Sequence, residues 1–371
     1  MKLALVAGAR PNFMKIAPIL HALADVSEIE AKLIHTGQHY DKNLSDIFFD
    51  QLEIKRPDIS LGAGGGTHAE QTSKIMIGIE QVLTEAKKIA APFDRLVVVG
   101  DVNSTMAASI AAAKLHVPVA HIEAGLRSFD RRMPEEINRI VTDSIADQLF
   151  VSEPSGVQNL QREGVAVDRI HLVGNVMIDT LKRLLPAARE TGTLQQYDLT
   201  AQEYGVITLH RPSNVDREET LRPILEVLVE ASKDTPFVFP VHPRTAESIE
   251  RFGLSDLLQQ ADGIRILPPV GYLEFLCLTS SCRVIVTDSG GIQEESTVLG
   301  IPCLTMRRNT ERPVTVSDGS STLIGNDLDL LASRLADVHK SKYNVGSCPD
   351  LWDGKAAERI VDVWSRDSLA K

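Results

Sequence analysis

Two textures of apolar and polar positions alternate along this chain. Short, nearly continuous apolar runs such as Leu96-Val97-Val98-Val99 and Val284-Ile285-Val286 are separated by longer stretches in which apolar residues recur every three or four positions. A short apolar run marks a strand buried on both faces, and the longer period marks an amphipathic helix. The alternation therefore predicts βα units around parallel sheets, an α/β fold. Strands are expected in the first half over residues 3–7, 31–35, 59–61, 96–99, 117–122, 148–151 and 170–173. In the second half they are expected over 205–209, 237–241, 264–266, 284–287 and 303–305. Helical patterns fill most of the gaps, and each half reads as its own doubly wound, Rossmann-like sheet.

A chain of 371 residues exceeds what one ordinary core organises. Two domains with a cleft between them follow. The boundary is expected after Gly174-Asn175, where a strand gives way to a helical run over 176–190 and a polar stretch over 191–196, giving domains 1–174 and 175–353. The last segment mixes apolar and charged residues at helical spacing over 355–364 and can pack on either domain. A hydrophobic share of 43% with 24% charged residues is that of an ordinary globular protein and excludes disorder or a fibrous repeat. A net charge of -11 argues against a nucleic-acid or anionic-membrane partner, so positive groups for an anionic ligand must be local. Cys277, Cys282, Cys303 and Cys348 form no C-x-x-C pair. The apolar start is broken by Gly8-Ala9-Arg10-Pro11 before a signal-peptide core can form, and no stretch approaches a membrane span; a cytoplasmic location is expected.

Ligands of open parallel sheets bind beyond the carboxyl ends of the strands. The residues there are polar: Arg10, His35 with Gln38, Asp101 and Glu123 in the first half, then His210-Arg211, His242 and Asp288-Ser289-Gly290-Gly291 in the second. The last run opens a helix expected to reach about Leu299. Its two glycines let backbone amides approach a phosphate at the helix start, and Glu294 or Glu295 is placed to accept from ribose hydroxyls; a plain Ser N-cap is the alternative. Arg10 falls in the turn after the first strand and Lys15 about one helical turn later, both placed to face a phosphate; a salt-bridged Arg and a solvated Lys are the alternative. Asp101, Glu123, Glu135 and Glu136 form the acid–base candidate set. Each is equally readable as a structural carboxylate, Glu135 through an i,i+4 pair with Arg139.

Gly62-Ala63-Gly64-Gly65-Gly66 fails the dinucleotide fingerprint because Thr67 stands at the sixth position, and no other such motif or P-loop lysine follows a strand. No nicotinamide or other cofactor is expected; the run reads as a flexible loop and candidate lid before a helix over 68–87. His35 and His39 lie four apart, but Thr36-Gly37-Gln38 between them argues for a loop, so no metal is expected.

Taken together, G-A-R-P-N-F-M-K at 8–15, G-D-V-N-S-T at 100–105, H-I-E-A-G-L-R at 121–127, P-E-E-I-N-R at 134–139, H-R-P at 210–212, D-S-G-G-I-Q-E-E at 288–295 and T-E-R-P at 310–313 resemble the non-hydrolysing UDP-N-acetylglucosamine 2-epimerases. The resemblance spans nearly the whole chain. It implies a glycosyltransferase-B type fold with the active site in the interdomain cleft, a homodimer, and a C-terminal helix, 354–371, returning to the first domain. It implies that Arg10, Lys15, His210, Ser289, Gly290, Gly291 and Arg312 hold the diphosphate, with Glu295 on the ribose and Phe275 beside the uracil. Asp101, Glu123 and Glu135 would move protons and steady the sugar, and His210 is also a candidate acid.

The implied reaction eliminates UDP to a 2-acetamidoglucal and adds it back on the inverted carbon 2, supplying mannosamine units for surface polysaccharide. A hydrolysing 2-epimerase, an epimerase of a modified UDP-sugar, a glycosyltransferase of the same fold and a non-catalytic nucleotide-sugar sensor are the rival readings. Asn12-Phe13 and His210-Arg211-Pro212-Ser213 depart from commoner forms of the family motifs, and Thr67-His68-Ala69-Glu70-Gln71 lacks the Arg with which relatives hold a second, activating substrate.

Overall fold

A computed structural model describes residues 1–37 and 46–369; Gln38 and His39 lie outside the described residues. The chain divides into two compact units, Met1–Thr180 with Asp350–Lys371, and Leu181–Pro349.

The first unit is built on a seven-stranded parallel sheet: β1 (Lys2–Ala7), β2 (Glu30–His35), β3 (Ile59–Ser60), β4 (Arg95–Val99), β5 (Val119–Ala124), β6 (Gln148–Val151) and β7 (Ile170–Leu172), in the order β3-β2-β1-β4-β5-β6-β7. Every neighbouring pair is parallel. The order reverses direction between β1 and β4, which opens a crevice beyond their carboxyl ends. One face of this sheet, including Ala4, Val6, Leu96 and Val98, packs on Ile75, Ile79 and Leu83 of the helix His68–Lys88 and on the alanines of Asn103–Lys114. Strand β5 starts two residues later than the pattern predicts. Pro118, which precedes it, has no N–H to give to a ladder.

The end of the chain completes this unit. Trp364 is fully buried, meets Phe150 of β6 edge-on at 5.6 Å and donates to Gln148 Oε1, while Trp352 donates to Ser152 O. The helix Ala356–Leu369 starts against Asp179, whose carboxylate accepts from the Ala356 and Ala357 N–H groups. Burial pushes that carboxyl up to about 6 against the pull of the two N–H bonds.

The second unit repeats the plan with β8 (Gly205–Thr208), β9 (Phe237–Pro240), β10 (Ile264–Leu267), β11 (Val284–Thr287), β12 (Cys303–Thr305) and β13 (Ser321–Leu323), ordered β10-β9-β8-β11-β12-β13. Its switch point lies between β8 and β11. Strand β13 has no counterpart among the predicted strands; Ser-Thr-Leu carries no apolar run, and the strand exists because it pairs with β12. The polar stretch over 191–196 contains a short helix, Thr193–Gln196.

Candidate functional site

In the first unit the predicted groups gather where β1, β4 and β5 end. After β1 the turn is closed by buried Asn12. Its Oδ1 accepts from the Gly8 and Ala9 N–H groups at 3.1 and 2.9 Å, and its Nδ2 donates to Val99 O at the end of β4. A Glu at this position could accept but not donate, so this departure from the commoner motif leaves a turn locked to β4. Arg10 is exposed at the first position of the helix Arg10–Leu23, and Lys15, one turn on, forms an ion pair with Glu123. The Lys15 and Glu123 side chains are 12% and 6% exposed, so the pair is largely dry.

Glu123 lies inside β5, not after it. The β5–β6 register shifts between Ile122 and Ala124, and Glu123 takes a left-handed φ of 69°. Such a bulge re-aims one side chain out of the pleat at an energetic cost, and sites of this kind concentrate where function requires them. Gly100, at φ 69°, makes the close approach possible: a Cβ there would stand 3.3 Å from both Glu123 Oε2 and Lys15 Nζ.

Asp101 follows Gly100. Its Oδ2 accepts from Arg139 Nε and Nη2 at 3.1 and 2.9 Å, and its side chain is 32% exposed. Arg139 also donates to Glu136 at 2.5 Å, so the predicted Glu135–Arg139 pair gives way to Glu136 and Asp101. Glu136 lies on the inward face of the helix Pro134–Ile145, where it accepts from the Ser128 and Phe129 N–H groups and the Ser128 hydroxyl, a structural role. Glu135 is half-buried, and among the described residues nothing hydrogen-bonds or pairs with its carboxylate.

The inward face of that helix is polar: Glu136, Asn138, Arg139, Thr142 and Asp143 are all buried. Asp143 is the group sequence reasoning missed. Its carboxylate meets His121 Nδ1 at 2.6 Å, Arg127 Nη1 at 2.7 Å and the Gly125 N–H at 3.1 Å, and His121 Nε2 meets Gly100 O at 2.8 Å. One buried carboxylate thus braces the backbone before Asp101 and after Glu123. Burial works against its charge, but His121 and Arg127 hold it below the usual carboxylate range. Polar residues at i, i+3 and i+7, namely Glu136, Arg139 and Asp143, were the available signal.

In the second unit the groups gather at the ends of β8 and β11. Asp288, fully buried, accepts from the His210 and Arg211 N–H groups and from Asn214 Nδ2, and stands 2.9 Å from His210 Nδ1. Burial opposes its charge, but these donors keep it below the usual range. His210 is thereby oriented with Nε2 as its outer nitrogen, and its ring lies 5.5 Å from that of His242. Ser289 occupies the N-cap position of the helix Gly290–Leu299, yet its side chain makes no capping bond. The first-turn amides are left for another acceptor.

Further along that helix Glu294 and Glu295 separate in role. Glu294 pairs with Arg312 Nε, while Glu295 accepts from Tyr272 OH at 3.0 Å. Burial pushes the Glu295 carboxyl up to about 7, the Tyr272 bond draws it down and Glu294 pushes it up. Phe275, half-buried one turn from Tyr272, packs against the core cluster that contains Ile292 and Leu278. A recess lined by Val227, Thr235, Phe237 and His339 lies at the opposite, amino-terminal ends of β9 and β11, away from this chemistry. Among the described residues no group of His, Cys, Asp and Glu side chains gathers as a metal site, and no helix is long and apolar enough to cross a membrane.

The sequence model of the family described as UDP-N-acetylglucosamine 2-epimerase matches residues 21–365. A UDP-N-acetylglucosamine 2-epimerase of Methanocaldococcus jannaschii is 41% identical over 98% of this chain and 98% of its own length. A UDP-2,3-diacetamido-2,3-dideoxy-D-glucuronate 2-epimerase of Pseudomonas aeruginosa is 42% identical over 99% of this chain and 100% of its own. The crystal structure of the Methanocaldococcus jannaschii UDP-GlcNAc 2-epimerase in complex with UDP-GlcNAc and UDP is similar at a TM-score of 0.87 and 41% identity, covering 99% of this chain and 100% of that one.

Proposed function

This chain belongs to the UDP-N-acetylglucosamine 2-epimerase family, and from that premise we propose that it inverts carbon 2 of a UDP-linked 2-acetamido sugar by eliminating UDP and adding it back. The hydrogen on carbon 2 is not next to a carbonyl, so its direct removal is very costly. When the bond from carbon 1 to the diphosphate oxygen breaks, the electron pair leaves with UDP and positive charge develops at carbon 1. A carboxylate then takes the carbon 2 proton, and a double bond forms between carbons 1 and 2. Protonation of the glycal from the opposite face and return of the UDP oxygen to carbon 1 complete the inversion with atoms and charge conserved.

What carries the reading is the placement of Asp101 and Glu123 at the ends of neighbouring strands, with Lys15 on Glu123 and Arg139 on Asp101. Two carboxylates held by different cations, with Glu135 left without a partner among the described residues, supply the proton acceptor and donor the two faces require. In the second unit the amides of Gly290 and Gly291, with Ser289, His210 and Arg312, receive the diphosphate. Their donors favour the charge that UDP gains on leaving. Arg10 and Lys15 are the cations the first unit offers, Glu295 takes the ribose, and Phe275 lies beside the uracil. The homodimer is part of the same proposal. Met106 and Ile110, with Ile137, Ile140, Val141 and Ile145, stay half-buried on two neighbouring helices.

Incubation with UDP-N-acetylglucosamine in deuterated water, followed by NMR, is expected to show deuterium at carbon 2 of two UDP-linked epimers. Free sugar would mark a hydrolysing enzyme, and the absence of exchange would sink this reading for that substrate. UDP-2,3-diacetamido-2,3-dideoxy-glucuronate belongs beside it in the assay, because the Pseudomonas aeruginosa relative is as similar as the Methanocaldococcus one.

Glu295 gives a second expected result. Its carboxyl titrates at about 7 in the free protein. Ribose hydroxyls donating to it favour the ionised form, so the bound value falls. Between about pH 6 and 7 binding of a UDP-sugar should therefore release a fraction of a proton, and the affinity should rise with pH to about 7 and then level off. The diphosphate diester has no ionisation in this range to confuse the reading. Titration calorimetry in buffers of different protonation enthalpy measures the release, and Glu295→Gln should remove it. Equal release by both proteins would mean that Glu295 does not meet the ribose.

A further inference from the structure

Arg307 is a buried cation that is ion-paired with Glu311 yet leaves guanidinium donors unsatisfied among the described residues. It is 5% exposed, and its Nη1 lies 2.8 Å from Glu311 Oε2, yet neither Nη1 nor Nη2 completes a hydrogen bond among the described residues. A guanidinium carries five donors in one plane, and leaving some unmade in a dry site is costly. A cation retained for folding alone would have its acceptors in place.

The surroundings point to an anion. Glu311 is shared, with Oε1 3.9 Å from Arg312 Nη1. A third guanidinium, Arg211, is held by Asp288 O at 2.9 Å. Burial, then the nearby charges of Arg211 and Arg312, work against the Arg307 cation, and Glu311 only partly offsets them. The start of the helix Gly290–Leu299 faces this cluster: a Cβ on Gly290 would stand 3.1 Å from Arg312 Nη1 and 3.7 Å from Arg307 Nη1. Unsatisfied Nη donors and unsatisfied first-turn amides therefore converge on one small space.

We infer that Arg307 is a diphosphate-binding residue, its Nη donors completing the phosphate grip begun by the Gly290 and Gly291 amides. The inference rests on the reading of the ligand as a UDP-sugar and adds a residue to it. The planar fork suits a phosphate with two parallel bonds, which a Lys at this position could not reproduce. As UDP leaves carbon 1 its negative charge grows, and a buried, pre-positioned guanidinium responds more strongly than a hydrated surface one.

Binding of UDP, of inorganic pyrophosphate and of uridine to the full chain separates the possibilities, with calorimetry for the first two and NMR titration for the nucleoside. Arg307→Gln is expected to weaken UDP and pyrophosphate by roughly ten- to a hundredfold, the loss of charge-assisted bonds, and to leave uridine within about twofold of the parent. Arg307→Lys, which keeps the cation, should fall between the two and decides the matter alone if the Gln variant does not fold. UDP affinity unchanged in the Lys and Gln variants would overturn the inference, as would UDP and uridine weakening in the same ratio, the mark of a collapsed loop. A parent protein that binds no UDP would instead overturn the proposed function.

Discussion

Glu123→Gln is expected to remove deuterium exchange at carbon 2 and to lower kcat by about 10² to 10⁴, the usual worth of a positioned proton-transfer group. The replacement keeps the size of the side chain, and Gln can occupy the same bulge. What it loses is the negative charge that pairs with Lys15 and the oxygen that can take a proton. Affinity for UDP should stay close to that of the parent, since the second unit's part of the proposed nucleotide grip, at Ser289, Gly290, Gly291 and Glu295, is untouched and Lys15 keeps its charge. KM should move far less than kcat, the pattern of an interaction made only in the transition state. Exchange within tenfold of the parent would move the proton-abstracting role to Asp101 or Glu135.

Asp143→Asn should show the largest loss of stability. Asp143 is buried, and the substitution removes the carboxylate shared by His121 and Arg127. Breaking a buried ion pair from one side costs about 3–5 kcal/mol because the remaining charge stays buried. Arg127 keeps a bidentate bond to Glu163 at 2.8 and 2.7 Å, which places the loss nearer the lower figure. Urea unfolding should report a lower midpoint with an unchanged slope. The pH dependence has a definite sign. The folded carboxyl is held below its unfolded value, so its stabilisation is present above about pH 4 and is lost as the pH falls further. The gap between parent and variant should therefore narrow in acid. A constant gap at all pH values would show that packing, not charge, is what the substitution removes. Turnover should fall as well, since His121 and the Gly125 N–H brace the backbone on either side of Asp101 and Glu123.

Most strands were legible because their signal is local. The runs 148–151, 284–287 and 303–305 coincide with β6, β11 and β12, where consecutive apolar residues are buried by helices on both faces. Strand β13 was illegible because Ser321-Thr322-Leu323 owes its conformation to a partner. The bulge at Glu123 was equally hidden, since a register shift is a property of two strands and not of one.

The candidate groups divide in the same way. Their chemical types and their places after β1, β4, β8 and β11 were readable, because a parallel sheet presents its carboxyl edge to ligands whatever the detailed packing. Their partners were not. Lys15 and Glu123 are 108 residues apart, Arg139 and Asp101 are 38 apart, and Asp288 gathers Arg211 and Asn214 from 77 and 74 residues away. Glu135 and Glu136 are indistinguishable in sequence, yet the helix turns one inward to brace the Ser128 turn and leaves the other without a partner among the described residues. By itself the sequence determined the alternation of elements, the two-sheet plan and the family motifs, all of which rest on local periodicity and residue type. Only the tertiary structure decided which carboxylate meets which cation and which buried donors, those of Arg307 above all, stay unsatisfied among the described residues. Those outcomes depend on desolvation and on contacts between distant segments, which no local pattern encodes.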